Sequence, residues 1–323
     1  MTSKIHCFLS AKQAYPELEE FVKTHDKISL YYPKNEDELK SQLPLSISPQ
    51  LLLFDPKSMA LANIDFINEI NTKSNFIIAL VSPEDQNDIN IKYFQLNPQI
   101  GHLIPSKNKS ISEEMQKLLM IVNAAEAVDG LQMTVDKVLS SLKNKQTFEL
   151  TESQARWHCY EEISNYAEKL HVFPEFKNII KTAASELLTN AFYDAPKNPE
   201  TGKSLNPNRK SKVCLVPPKK VEFHFGLSPD DAYLWMFVRD PFGSLDKPTL
   251  VASLLRAATE RTAKLDQEGG AGLGLKMVYE WASEVVFGLA QGESTLVGCK
   301  FRITRRNRIF DSELASLHIC IRP

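Results

Sequence analysis

The stretch Ile179-Ile-Lys-Thr-Ala-Ala-Ser-Glu186-Leu-Leu-Thr-Asn190-Ala-Phe-Tyr193-Asp194-Ala-Pro196 decides how the second half of this 323-residue chain is read. Apolar residues return every three or four positions, the period of an amphipathic helix. Pro196 ends the run, because proline has no N–H to donate and disfavours helical geometry in the residue before it. Glu186, Asn190 and Asp194 stand at i, i+4 and i+8. On a helix these positions share one face, so a carboxylate and an amide oxygen enter the same space while Leu187, Leu188 and Ala191 turn to a core. Glu with Asn suits a hydrated Mg2+ or a polarised water.

Two further constellations follow in order. In Leu234-Trp-Met-Phe-Val238-Arg-Asp240-Pro-Phe-Gly243-Ser-Leu-Asp246 an apolar strand stops at a carboxylate and a turn. An Asp at a strand end beside a cavity accepts from an amine. In Glu268-Gly-Gly270-Ala-Gly272-Leu-Gly274-Leu-Lys-Met-Val278 glycines spaced by two open a helix. Small residues there let backbone N–H groups approach phosphate oxygens. A Rossmann loop is excluded because no strand leads directly into this run, and a Walker loop because Gly-Lys-Ser/Thr is missing.

Together the three resemble the N, G1 and G2 boxes of the GHKL (Bergerat) ATPase superfamily, which includes histidine kinases, anti-sigma switch-protein kinases, gyrase and MutL. The resemblance spans about residues 151–305. It implies a C-terminal GHKL α/β sandwich that takes ATP and Mg2+. Asn190 would be the Mg2+ ligand, Glu186 the catalytic acid that handles water or a proton, and Asp240 the acceptor for the adenine amino group. Asp194 would share the nucleotide-facing side, Gly243 the turn, and Gly270, Gly272 and Gly274 the phosphate-side backbone. One departure stands out: the family's Asp-x-Gly-x-Gly is here Asp240-Pro-Phe242-Gly243-Ser244. Phe242 would narrow the adenine side, and Gly243 would supply the turn alone. The variant looks like the anti-sigma branch. Charged, Thr-containing residues 256–268 would form an ATP lid.

The first half alternates short apolar runs with amphipathic stretches. The runs, at 4–9, 28–32, 51–54, 76–81 and 101–104, read as strands. Residues 15–24, 36–43, 64–70, 84–96 and 112 onward read as helices. Parallel neighbours need crossover connections, so this alternation predicts a five-stranded parallel sheet with helices on both faces. It resembles the flavodoxin-like receiver domain of response regulators, which places Asp55 at the family's phosphoacceptor position and Ser82 at its hydroxyl. The acidic pair after the first strand and the Lys after the fifth are missing: Ser10-Ala11 and Ile104-Pro105 stand there. A carboxylate without a metal is a poor phosphoacceptor. The favoured reading of Asp55 is a strand-end Asp, in a degenerate receiver that serves docking or dimerisation.

The expected organisation is a receiver-like domain over 1–125, a helical connector over 126–150, the ATPase-like domain over 151–310, and a strand or tail over 311–323. Apolar residues from Met115 to Leu142 recur at helical spacing, with Gly130 as a weak point. Two readings stay open for them, a homodimer seam or packing on the chain's own domain.

With Lys plus Arg at 38 against Asp plus Glu at 40, the net charge of −2 gives no whole-chain reason to expect nucleic acid. Residues 197–220 carry seven bases and one acid. A solvated insertion is the favoured reading of that loop over a nucleic-acid contact. No apolar run approaches the roughly 20 residues of a spanning helix, the N-terminus is a poor secretion signal, and the five cysteines lack C-x-x-C spacing. A cytoplasmic protein without membrane insertion is expected. His158 lacks the context of a histidine-kinase phosphoacceptor. The resemblance therefore implies an anti-sigma-like Ser/Thr protein kinase, or a nucleotide-dependent switch that sequesters a protein partner. The alternative is a non-catalytic scaffold of a two-component pathway.

Overall fold

The computed structural model describes residues 5–10, 15–25, 28–42, 50–61, 76–82, 87–96, 100–106, 113–118, 130–259, 273–303 and 315–322. It is a mixed α/β protein in two compact units, Met1–Lys137 and Val138–Pro323. No described helix is long and apolar enough to cross a membrane.

The first unit contains β1 (Ile5–Phe8), α1 (Pro16–Lys23), β2 (Ile28–Tyr31), α2 (Glu36–Gln42), β3 (Gln50–Phe54), α3 (Pro56–Leu61), β4 (Phe76–Ser82), α4 (Asn87–Leu96) and β5 (Ile100–Pro105). Its strands run in the order β2-β1-β3-β4-β5. All four pairings are parallel. Cys7, Leu51, Leu53, Ala79 and Val81 join Leu18 and Phe21 of α1 in one core. The alternate positions Phe8, Leu52, Phe54 and Leu80 are buried as well. A sheet buried on both faces needs unbroken apolar runs, which is why these strands are legible in the sequence. Residues 113–118 are helical and add Met115 and Leu118 to that core. Helix α3 was not expected, and the helix expected over 64–70 lies outside the described residues.

The second unit begins within α5 (Gly130–Ser141), where Gly130 is the first helical residue. It continues with β6 (Lys143–Leu150), α6 (Arg156–Lys169), α7 (Pro174–Thr189), β7 (Val221–Leu227), β8 (Tyr233–Asp240), α8 (Lys247–Thr259), α9 (Leu273–Trp281), β9 (Glu284–Ala290), β10 (Ser294–Arg302) and β11 (Ser316–Arg322). The sheet runs β11-β9-β10-β8-β7-β6. Only β11 with β9 is parallel; the other pairs are antiparallel. The expected connector over 126–150 is thus part helix and part strand. Strand β6, Lys-Asn-Lys-Gln-Thr-Phe-Glu-Leu, sits at the sheet edge with most side chains exposed. Its polar composition follows from that position, since charged edges discourage pairing with other chains.

Helices α6, α7 and α9 pack in sequence, with α8 against α9 and α7 reaching β8. Tyr166 of α6 lies edge-on to Phe225 of β7, ring centroids 5.1 Å apart, which puts the helices over the face that carries Phe225 and its partner Met236. Helix α7 starts with Pro174 at its first turn, where a missing N–H removes no helical bond. Phe176, Ile180, Ala183, Ala184, Leu187 and Leu188 are its buried stripe. The polar residues of the site flank that stripe, with Glu186 and Asn190 each only partly exposed.

Candidate functional site

Glu186 occupies the last turn of α7, and the helix then closes with a π-turn over Asn190–Asp194, in which the Ala195 N–H donates to the Asn190 carbonyl at 2.8 Å. Such wider turns recur at functional sites. Burial pushes the Glu186 carboxyl above its usual range; the Arg209 charge opposes this and the Asp194 charge adds to it. Asp194 is raised by burial too, against the pull of Arg209, whose Nη2 lies 2.8 Å from its Oδ2. Between them, Asn190 Oδ1 is buried and has no hydrogen-bond partner among the described residues. Leaving such an acceptor unsatisfied costs about 1–3 kcal/mol, so it marks a place for a ligand, ion or water. An unpartnered amide oxygen one turn from a carboxyl group is a donor set that fits a hydrated Mg2+.

The end of α7 and the turn after β8 are stitched together. Ser244 Oγ donates to the Ala195 carbonyl at 2.6 Å, and Lys197 Nζ donates to the Ser244 carbonyl at 3.2 Å. The structure therefore brings the end of the Glu186–Asp194 segment and the Asp240 turn into one neighbourhood, through a serine that the sequence showed only as a departure. Asp240 ends β8 at 7% exposure. Its Oδ1 accepts from the N–H groups of Phe242 (2.9 Å) and Gly243 (3.3 Å). Burial outweighs those donors and pushes its carboxyl up to about 6. Thr295 of β10 stands opposite it in register and is buried, a neighbour no linear motif reveals.

Gly243 supplies the turn by itself, at φ +57. A Cβ there would meet the Ala290 carbonyl at 2.1 Å and the Gly292 nitrogen at 2.8 Å, and Gly292 N–H donates to the Gly243 carbonyl at 3.0 Å. Its role is to lock the turn onto the β9–β10 hairpin. The half-buried Phe242 ring lies beneath Lys219, whose Nζ is 5.0 Å from the ring centroid. Of the glycine run, Gly274 is the second residue of α9, which packs on α7. Gly270 and Gly272 lie outside the described residues. Residues 256–259 of the expected lid continue α8, and 260–268 lie outside the description as well.

The insertion over 197–220 is exposed along much of its length but tied down. Besides Lys197, Arg209 and Lys219, Lys212 pairs with Glu152, and Lys220 with Glu149 and Glu222. Five of the seven bases thus meet groups of their own domain. The Tyr193 hydroxyl donates to the Ser211 carbonyl at 2.7 Å, and Arg156 Nη2 donates to the Arg209 carbonyl at 3.3 Å. Sequence reading also passed over Lys247, buried at the first turn of α8 and pushed down by that burial to about 8. Its polar flanks give no signal of burial.

In the first unit, Asp55 follows β3 at 1% exposure. Its Oδ2 accepts from the Ser10 N–H (2.7 Å) and the Ser10 hydroxyl (2.6 Å), and its Oδ1 accepts from the Ser58 N–H (2.8 Å). The last bond is an N-cap of α3. Ser82, at the end of β4, is buried. Among the described residues no cluster of three or more His, Cys, Asp or Glu side chains is placed to hold a metal. His158 is exposed and lies edge-on to Phe148 at 5.8 Å.

Compared with known proteins, the chain matches no family model, and no curated protein matches it.

Proposed function

We propose that the second unit is a GHKL-type module that binds Mg2+–ATP and acts in signalling. It transfers the terminal phosphoryl group to a Ser or Thr of a protein partner, or holds that partner in a nucleotide-dependent way. The first unit would be its receiver-like regulator; its strand order, 2-1-3-4-5, is that of flavodoxin-like sheets. The observation that carries the reading is the buried Asn190 Oδ1, without a partner among the described residues, between two carboxyl groups that burial disposes to take protons.

Asn190 would hold the metal, which when bound neutralises phosphate charge. Glu186, shifted upward by burial, is the better placed to accept a proton from an attacking hydroxyl near neutral pH. Asp240 presents a carboxylate at the strand end for an exocyclic amine, in a turn fixed by Gly243. Gly270, Gly272 and Gly274 would line the phosphate side through their backbone. In the first unit, Asp55 serves as the cap of α3 and as acceptor for Ser10, which favours a docking role over phosphorylation.

A second reading, a scaffold without transfer activity, is favoured by Phe242, whose ring stands under Lys219 where the superfamily has a glycine. Titrating Mg2+–ATP into the wild-type chain and into Asn190→Ala decides first. Metal-dependent binding lost in the variant is expected; equal and negligible affinity in both ends the nucleotide reading. Incubation with labelled ATP and Ser-containing partners then separates kinase from scaffold.

A further inference from the structure

Arg209 is carried by the insertion, yet its Nη2 lies 2.8 Å from Oδ2 of Asp194, the residue one turn beyond Asn190. Its placement is built. The turn Asn208–Ser211 is closed by the Ser211 N–H to the Asn208 carbonyl (3.0 Å) and by the Lys210 N–H to Asn208 Oδ1 (3.0 Å). The buried groups Arg156 and Tyr193 hold the carbonyls of residues 209 and 211 from beneath. Ser153 Oγ lies 3.0 Å from the Tyr193 hydroxyl and accepts the Val213 N–H at 2.9 Å, which fixes the far side of the turn. A loop that only shields solvent has no need of this two-point clamp around one arginine.

Among the described residues, the side chain of Arg209 makes one hydrogen bond, Nη2 to Asp194. A guanidinium has five donors in a planar fork that matches phosphate oxygens. Asp194 takes one arm of that fork, and the pair is partly open to solvent.

We propose that Arg209 is a binding residue for the terminal phosphate of the nucleotide, exchanging Asp194 for phosphate oxygens when ligand enters. This rests on the ATP reading of the Asn190 face. Asp194 then parks the arginine in the free protein and limits affinity. The residue thus sets a preference for nucleoside triphosphate over diphosphate.

The test is calorimetric titration of Mg2+–ATP and Mg2+–ADP into the full chain, as wild type, Arg209→Ala, Arg209→Lys and Asp194→Asn, each checked for native circular dichroism. Arg209→Ala should lose about 10- to 100-fold in ATP affinity, the loss expected for a charge-assisted pair, with ADP affinity changed far less. Arg209→Lys, which keeps the charge without the fork, should fall between. Asp194→Asn, which frees the arginine, should bind ATP more tightly than wild type. If Arg209 is only a latch for the insertion, Arg209→Ala and Asp194→Asn break the same bridge and weaken both nucleotides alike, and the proposal is overturned. An unchanged ATP-to-ADP ratio in Arg209→Ala overturns it too. A wild-type chain that binds neither nucleotide removes the ATP reading itself, a different result from a wild type that binds with an indifferent Arg209.

Discussion

Replacing Asp240 with Asn should make the second unit more stable at neutral pH, although it removes a proposed ligand contact. Burial raises the Asp240 carboxyl from an ordinary value of 3.8 to about 6. A raised carboxyl binds its proton more tightly folded than unfolded, so its contribution is fully present below pH ~4 and is lost as pH rises through about 6. The shift of about two units, at 1.36 kcal/mol each, puts that loss at about 3 kcal/mol, an order-of-magnitude figure. Asn keeps the acceptor for the Phe242 and Gly243 N–H groups and carries no charge to bury. The variant should therefore match wild type near pH 4, pull ahead through pH 5 and 6, and hold a lead of about 2–3 kcal/mol at pH 7.5. The chain's three tryptophans, Trp157, Trp235 and Trp281, all lie in the second unit, so urea unfolding followed by tryptophan fluorescence reads that unit inside the full chain. A wild type more stable than the variant at pH 7.5, or a difference that does not change between pH 4 and 7, would refute the reasoning. Loss of stability at a site is the expected companion of a group held there for binding.

Two further outcomes follow from the geometry. Gly243→Ala places a methyl group 2.1 Å from the Ala290 carbonyl at a positive φ, and should cost more than about 2 kcal/mol, read by the same fluorescence titration; an unchanged midpoint would show that the turn relaxes freely. Asp55→Ala removes the α3 cap and both Ser10 bonds, and should destabilise the first unit by about 1–2 kcal/mol. Hydrogen exchange at the Ser10 and Ser58 amides should accelerate in that variant, and unaltered exchange would remove the capping role.

What the sequence revealed follows physical visibility. The strands of the first unit are buried on both faces, and their runs stand out in consequence. Helix α3 was missed although Asp55-Pro56 is a start signal, an N-cap followed by proline at the first position, because six residues after a strand look like its turn. Strand β6 was missed because an edge position tolerates the Lys, Gln and Glu that conceal it. In the site, Glu186 and Asn190 declare themselves by helical spacing, and Gly243 by the turn it must make. Partners distant in sequence do not: Arg209 meets Asp194 through a clamped insertion, Ser244 meets Ala195 across 49 positions, and Thr295 reaches Asp240 only through strand register.

The fastening of the 197–220 segment changes how it ought to be engineered. Surface excursions are ordinarily trimmed without penalty, but a chain cut from Asn198 to Pro218 would lose the counter-ion of two sequestered acids. Those acids would then lean further toward their protonated forms, and the buried Arg156, Tyr193 and Ser153 would lose the partners the segment gives them.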